Sequence, residues 1–225
     1  AYRPSDDVLA VGTDSRGVYI YHRKNIDTYI PSVQGSLRNN AYYAQCLIDN
    51  KTILTGVGYI LDLKTFNAKG SLGKRINDYL LARDIDGQLY FTRGKNLTRY
   101  DPVSKKEFII PNAEEFTTHC ITLIHDTIWI GTNLGAGQII GDSIQWVYKN
   151  KFPNDHYGIK SICKDGQGNL WLGSYFQLYR FSPSAGQTDS FPLLQNMDIR
   201  DIQLIRNKIF IGTYGNGYFI YHDDQ

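Results

Sequence analysis

The chain repeats itself about every forty residues, and no other feature limits its fold so tightly. Six segments align: residues 8–21 (VLAVGTDSRGVYIY), 52–63 (TILTGVGYILDL), 88–102 (QLYFTRGKNLTRYDP), 127–142 (TIWIGTNLGAGQIIGD), 169–183 (NLWLGSYFQLYRFSP) and 208–223 (KIFIGTYGNGYFIYHD). Each is an apolar run, a short turn and a second run rich in aromatics, as in a β-hairpin. The equivalent small residue falls at Gly12, Gly56, Thr92, Gly131, Gly173 and Gly212, spaced by 44, 36, 39, 42 and 39 residues. An alternating segment precedes most hairpins, at residues 43–49, 78–84, 118–125, 159–164 and 199–205. A shorter one follows, as at 28–31, 107–111, 144–148 and 189–192. The pattern predicts four short strands per period.

A four-stranded antiparallel unit of this size cannot bury both of its faces alone. Repeated radially, each sheet packs on its neighbours, and the expectation is an all-β fold, a β-propeller of four-stranded antiparallel blades. A β-helix would repeat over far fewer residues, and a sandwich would not keep this period. The approximate repeats are 1–34, 35–70, 71–112, 113–152, 153–193 and 194–225. Residues 1–7 read as too polar for an inner strand and 223–225 leave no outer one, so the expected total is 22 strands, about five and a half blades. That count suggests part of a larger, seven-bladed propeller.

Two residues before the repeated small residue stand Ala10, Leu54, Tyr90, Trp129, Trp171 and Phe210, which alternation places on one face. They are read as packing between blades, and the glycine as permitting an unusual φ or a close approach. Composition agrees: 17 Tyr, 21 Gly and a single Met favour strands and turns. A net charge of +2 excludes a nucleic-acid binder recognised by charge alone. No run approaches the ~18 apolar residues of a membrane-spanning helix, and the N-terminus lacks a signal-peptide pattern, so no membrane contact by this region is expected. Cys46, Cys120 and Cys163 include no CxxC pair and lie on innermost strands, where buried, inert thiols are expected.

The fifth repeat reads Asp165-Gly-Gln-Gly168-Asn169-Leu-Trp171-Leu-Gly173-Ser, followed by Leu178-Tyr-Arg-Phe-Ser-Pro183. It resembles the two-component regulator propeller repeat, and echoes of that pattern recur in the third, fourth and sixth repeats. The second is weaker, with Leu54 and Thr55 in place of the aromatic and aliphatic pair. The resemblance implies the periplasmic sensor region of a hybrid two-component system, ahead of a membrane helix and a histidine kinase. The implied role is to detect oligosaccharides from polysaccharide breakdown and to regulate the genes that use them. Partners implied are the remaining blades and downstream domains of the same protein, and a homodimer of the full-length protein is left open. WD40 and kelch signatures are absent. A sialidase-type Asp box is approached by Asp165, Gly168 and Trp171, but Cys163 replaces its Ser or Thr. A hairpin turn in which Asp165 and Asn169 bond local backbone is preferred.

No GxSxG, HExxH or GxxxxGK[ST] occurs. Asp84-Ile-Asp86-Gly87 opens like an EF-hand loop but runs straight into a strand, so no calcium site is expected. His119 and His125, six apart on one strand, would stand about 20 Å apart, too far to share a metal. Neither a cofactor nor a metal is expected. The alternative reading is an enzyme, a polysaccharide lyase or glycoside hydrolase, since propeller active sites draw on several blades; the other alternative is a protein-interaction scaffold.

Ligands of propellers meet the loops between second and third strands and the loops between blades. Here those loops contain Arg16, Arg38, Asn39, Tyr42, Arg75, Arg93, His156, Tyr157, Tyr175, Arg200 and Tyr214, the candidate site residues, with Lys74 and Phe176 beside them. The tyrosines offer rings for stacking on sugars. Arg16, Arg38, Lys74, Arg75 and Arg93 suggest a basic edge that would attract an acidic oligosaccharide through bidentate Arg forks.

Overall fold

The computed structural model describes residues 44–65, 67–72, 80–112, 114–151 and 157–222, with the backbone of the strands before residue 30. Among the described residues, 23 strands form six antiparallel sheets, five of four strands and one of three. Sheet one is β1 (Tyr2–Arg3), β2 (Val8–Gly12), β3 (Val18–His22) and β4 (Asn25–Tyr29). Sheet two is β5 (Gln45–Leu47), β6 (Thr52–Thr55), β7 (Tyr59–Asp62) and β8 (Ala68–Ser71). Sheet three is β9 (Leu81–Arg83), β10 (Leu89–Arg93), β11 (Asn96–Asp101) and β12 (Lys106–Ile109). Sheet four is β13 (Thr118–Ile124), β14 (Thr127–Thr132), β15 (Gly135–Ile140) and β16 (Ser143–Lys149). Sheet five is β17 (Ser161–Lys164), β18 (Leu170–Gly173), β19 (Leu178–Ser182) and β20 (Gln187–Ser190). Sheet six is β21 (Ile199–Ile205), β22 (Lys208–Thr213) and β23 (Tyr218–Tyr221).

Each sheet follows chain order, so every connection within it is a hairpin. One expectation needs correcting. Residues 1–7 do contribute an inner strand: β1 pairs with β2, Tyr2 opposite Leu9 and Arg3 opposite Val8. That completes sheet one and raises the strand count from the expected 22 to 23. Strand pairing is made by backbone N–H and C=O groups, so a polar sequence does not forbid it.

The chain divides into two compact units, residues 1–109 and 110–225. In the first, Leu54 of sheet two packs with Leu89, Phe91 and Tyr100 of sheet three. In the second, one core joins Trp129 and Ala136 of sheet four to Ile162, Leu170 and Leu172 of sheet five. Another joins Trp171 and Leu178 of sheet five to Ile199, Ile202, Ile209 and Ile211 of sheet six. The position two before the repeated glycine therefore packs between blades at Leu54, Trp129 and Trp171. Because a blade is covered on both faces, its second strand reads as an unbroken apolar run: β18 is buried at every residue, whereas the outer strand β20 is exposed at every residue.

Backbone bonds fix the spacing of adjacent blades. Ile159 N–H donates to the Thr132 carbonyl at 3.0 Å, and Ile199 N–H to the Ser174 carbonyl at 2.8 Å. Both isoleucines are fully buried and hold the same place in successive repeats.

The Asp-Gly-x-Gly-Asn turn before β18 is locked by one carboxylate. Asp165 Oδ1 accepts from the backbone N–H groups of Gln167 and Asn169 at 3.0 and 2.8 Å. Its Oδ2 accepts from Asn169 Nδ2 at 3.0 Å and from the Trp171 indole N–H at 2.9 Å. In sheet three Asp84 does the same, receiving the Tyr90 hydroxyl at 3.1 Å. Partial burial pushes the Asp165 carboxyl up, but the donors from Trp171, Asn169 and Gln167 outweigh it and hold the group below the ordinary 3.8. A depressed folded-state value stabilises the protein above the unfolded value and stops doing so as pH falls through the folded one. Asp165→Asn should therefore be less stable than wild type at neutral pH, with the gap closing below about pH 4. Urea unfolding across that range tests this; a gap independent of pH would show that the carboxylate charge is immaterial.

Candidate functional site

The tip between β18 and β19, residues 174–177, is preorganised by its own serine. The fully buried Ser174 hydroxyl donates to the Gln177 carbonyl at 3.0 Å and accepts from the N–H groups of Phe176 and Gln177, both at 3.2 Å. Thr132 and Thr213 close the equivalent turns in sheets four and six. The tip presents two rings, Tyr175 and Phe176, each 37% exposed.

On the Tyr175 side a charged cluster assembles. Lys160 lies over the ring with Nζ 2.8 Å from its centroid, and its side chain is only 8% exposed. The same ammonium pairs with Asp198 Oδ1 at 3.1 Å. Asp198 Oδ2 receives Arg200 Nη2 at 2.6 Å and Nε at 2.8 Å. The Arg200 guanidinium carbon lies 5.7 Å from the Tyr175 centroid and 5.2 Å from that of Tyr214, between the two rings. Two cations against one carboxylate leave one positive charge, held between aromatic faces that attract it. Asp198 fixes one edge of the guanidinium through Nε and Nη2. Arg200 is half exposed and Tyr214 is 73% exposed, so a ligand can reach this platform of two rings and one cation.

On the other side Phe176 meets Tyr157, with ring centroids 5.6 Å apart. The Phe176 carbonyl also accepts the Asn196 N–H at 2.5 Å, tying the tip to the connection into sheet six.

Of the residues expected from sequence, the structure brings Tyr175, Arg200 and Tyr214 into one cluster and sets Tyr157 beside the same tip. Arg93, at the end of β10, is engaged by sheet three and by the Leu72 carbonyl just after β8, to which Nη2 donates at 3.4 Å. It grips both Glu107 carboxylate oxygens, at 2.5 and 3.2 Å, and lies over the Phe91 ring. Arg16, Arg38, Asn39, Tyr42, Arg75 and His156 lie outside the described residues, as does Lys74. Lys160 and Asp198, which hold the cluster together, were not singled out from sequence. The signal was present: Lys160 and Arg200 each follow an equivalent isoleucine, and Tyr175 and Tyr214 each follow an equivalent Gly-Ser or Gly-Thr.

The cysteines sit on β5, β13 and β17, and desolvation raises their thiols, Cys46 to about 11 and Cys120 to about 12. Such thiols are poor nucleophiles at neutral pH. Among the described residues no cluster of His, Cys, Asp or Glu is arranged to hold a metal ion, and no helix is long and apolar enough to cross a membrane.

Residues 152–176 match the family model "Two component regulator propeller". The matched stretch runs from the connection before β17 through the Asp165 lock and Trp171 to the tip carrying Tyr175. No curated protein matches the sequence. Among solved structures, the chain is similar to the extracellular domain of BT4673 from B. thetaiotaomicron, described in one structure as a one component system and in another as a hybrid two component system. The first has a TM-score of 0.80 at 20% identity, over 99% of this chain and 31% of that one. PorZ of the Porphyromonas gingivalis type-IX secretion system gives 0.67 at 15% identity, over 96% of this chain and 39% of that one. Virginiamycin B lyase from Staphylococcus aureus gives 0.67 at 15%, over 100% and 83%. These likenesses show the fold: the sheets are blades of a β-propeller, and residues 152–176 carry a two-component regulator propeller repeat. The chain spans about a third of the BT4673 extracellular domain.

Proposed function

We propose that the chain belongs to an extracytoplasmic sensor of a hybrid two-component signalling protein, that it binds an oligosaccharide, and that a histidine kinase elsewhere in the protein reads the outcome. The Tyr175–Arg200–Tyr214 platform carries this reading. Flat rings stack on the C–H faces of sugar rings, and a guanidinium held at one edge by Asp198 offers the other to a carboxylate or sulfate. The repeat matched at residues 152–176 and the likeness to the BT4673 extracellular domain support the signalling context. For signalling, ligand must bind two arrangements of the full-length protein with different affinity. The blades and domains completing that protein are the proposed partners.

A thermal-shift screen of the chain against acidic and neutral oligosaccharides, with product analysis alongside, tests the reading. Saturation at a hundredfold above Kd stabilises by about 2.7 kcal/mol, raising Tm by roughly 5–10 °C. Tyr175→Ala and Arg200→Ala should reduce the shift without themselves lowering Tm by more than a few degrees. Turnover of a saccharide would move the assignment to the enzyme reading. A shift insensitive to both variants would remove the platform from it.

A further inference from the structure

On the far side of the tip a cleft of about 730 Å³ opens between β16 of sheet four and β19–β20 of sheet five. It exists because of the sequence of β20. Gln187–Ser190 is exposed along its whole length and contributes only Thr188 and Ser190 to the space between the blades. On the opposite face of sheet five the corresponding space is filled: Phe191 stacks on Trp171 at 5.3 Å and Tyr221 packs tilted against it at 4.7 Å. The unfilled side has an aromatic floor. Tyr148 lies 6.2 Å from Tyr179 and 5.3 Å from Phe181, and the Tyr157–Phe176 pair closes the upper end. Burial pushes the Tyr148 phenol up to about 12 and raises that of Tyr179, so both stay protonated.

The rim is polar and lopsided in charge. Gln195, Asn196 and Thr188 line it with no hydrogen-bond partner for their side chains among the described residues. Lys149 and Lys151 line it too, and no Asp or Glu does. The only ion pair of Lys149 among the described residues is a loose 4.0 Å contact with Glu114, both groups largely exposed. The volume suits a small ligand. Rings below, amides and hydroxyls around, and two ammonium groups without a counter-charge in the lining together describe a ligand with an apolar face, several hydroxyls and a negative charge.

We propose that this cleft is a second binding site, separate from the Tyr175 platform, which takes a saccharide unit bearing a carboxylate or sulfate. The sugar face rests on Tyr148, Tyr179 and Phe181, its hydroxyls meet Gln195, Asn196 and Thr188, and its acid group faces Lys149 and Lys151. The proposal rests on the saccharide-binding reading for the class of ligand, but not for the place of binding. The shared tip means that a ligand at one site touches the element that frames the other.

Calorimetric titration of the intact chain with a galacturonate trisaccharide, a sulfated galactose trisaccharide and neutral galactotriose tests it. Thr188→Trp fills the cleft from an exposed strand position, where a large aromatic is tolerated. It should weaken binding of an acidic trisaccharide at least tenfold, as should Lys149→Ala combined with Lys151→Ala, while Arg200→Ala leaves this site unchanged. The two acidic probes distinguish carboxylate from sulfate. Loss in Arg200→Ala alone would overturn the cleft and leave the platform standing. Equal affinity for galactotriose would overturn the anionic preference, and no binding of any probe would overturn the site. Binding that survives Arg200→Ala and fails with Thr188→Trp would retain the cleft even if the platform proved inert.

Discussion

Trp171→Ala is expected to destabilise residues 110–225 by about 4 kcal/mol, in the range measured when large aromatics are deleted from cores. The indole is 1% exposed, stacked on Phe191, packed at a tilt against Tyr221, and covered by Arg180, whose guanidinium carbon is 5.6 Å from the ring. Three contributions fail together: the contact with sheet six, the cavity left where the rings met, and the N–H bond that helps to hold Asp165. For a chain of this size the midpoint should fall by roughly 8–16 °C. Trp171→Phe separates the parts. It keeps much of the apolar contact while removing the hydrogen bond and part of the buried ring, at a cost of about 1–2 kcal/mol. Thermal unfolding followed by circular dichroism measures both. If alanine costs no more than phenylalanine, the contact between sheets five and six contributes little and the packing account is wrong.

Gly131→Ala should be nearly as damaging, by about 3 kcal/mol, while the same change at the equivalent Gly212 should lie within about 1 kcal/mol of neutral. None of Gly131, Gly173 and Gly212 has a positive φ, so conformational freedom is not what glycine supplies there. Space is. A Cβ on Gly131 would fall on the Ile159 carbonyl oxygen and 2.5 Å from Cys120 Sγ. On Gly173 it would fall on Ser161 Oγ and 2.5 Å from Ile199 Cγ2. At both positions an isoleucine entering the next blade, Ile159 two residues before β17 or Ile199 at the start of β21, shares the room with Cys120 or Ser161 of the glycine's own sheet, and alanine would strain the bond between Ile159 and Thr132 or between Ile199 and Ser174. At Gly212 the nearest atoms are Asp201 Cβ and O, at 3.7 and 3.8 Å, an ordinary contact. Denaturant titration of the three variants decides the matter. Equal losses at 131 and 212 would mean that the glycine serves its own hairpin and not the neighbouring blade.

The hairpins and their inner strands were legible because their determinants are local. Apolar runs, turn residues and the Asp-Gly-x-Gly-Asn motif lie within one period, and the structure places β13, β14, β17, β18, β21 and β22 where that pattern put them. β1 was missed because it was judged by side chains, whereas its pairing is made by backbone. Lys160 and Asp198 escaped notice for a different reason. Each looks like an ordinary polar residue near a strand start, and its role comes from a ring or a cation that arrives from another segment, 15 residues away for Tyr175 and 38 for the Lys160–Asp198 pair. Arg93 shows the opposite case. In sequence it is a loop cation available to a ligand, and in the fold it is spent on Glu107 one hairpin away.

The amino-acid sequence by itself determined the unit of this protein: a period of about forty residues, short antiparallel strands joined by hairpins, an apolar residue two before a small one, and a carboxylate to lock the turn in the third and fifth repeats. These follow from alternation, turn chemistry and self-similarity, which are properties of neighbours along a chain. Only the tertiary structure decided what each repeated position is for. The glycine is small because the next blade starts against it, the lysine is buried because a tyrosine and an aspartate from later segments enclose it, and the cleft beside β20 is open because nothing large projects into the space between two blades. Such outcomes depend on distances between segments about forty residues apart, and packing, not local sequence, sets those distances.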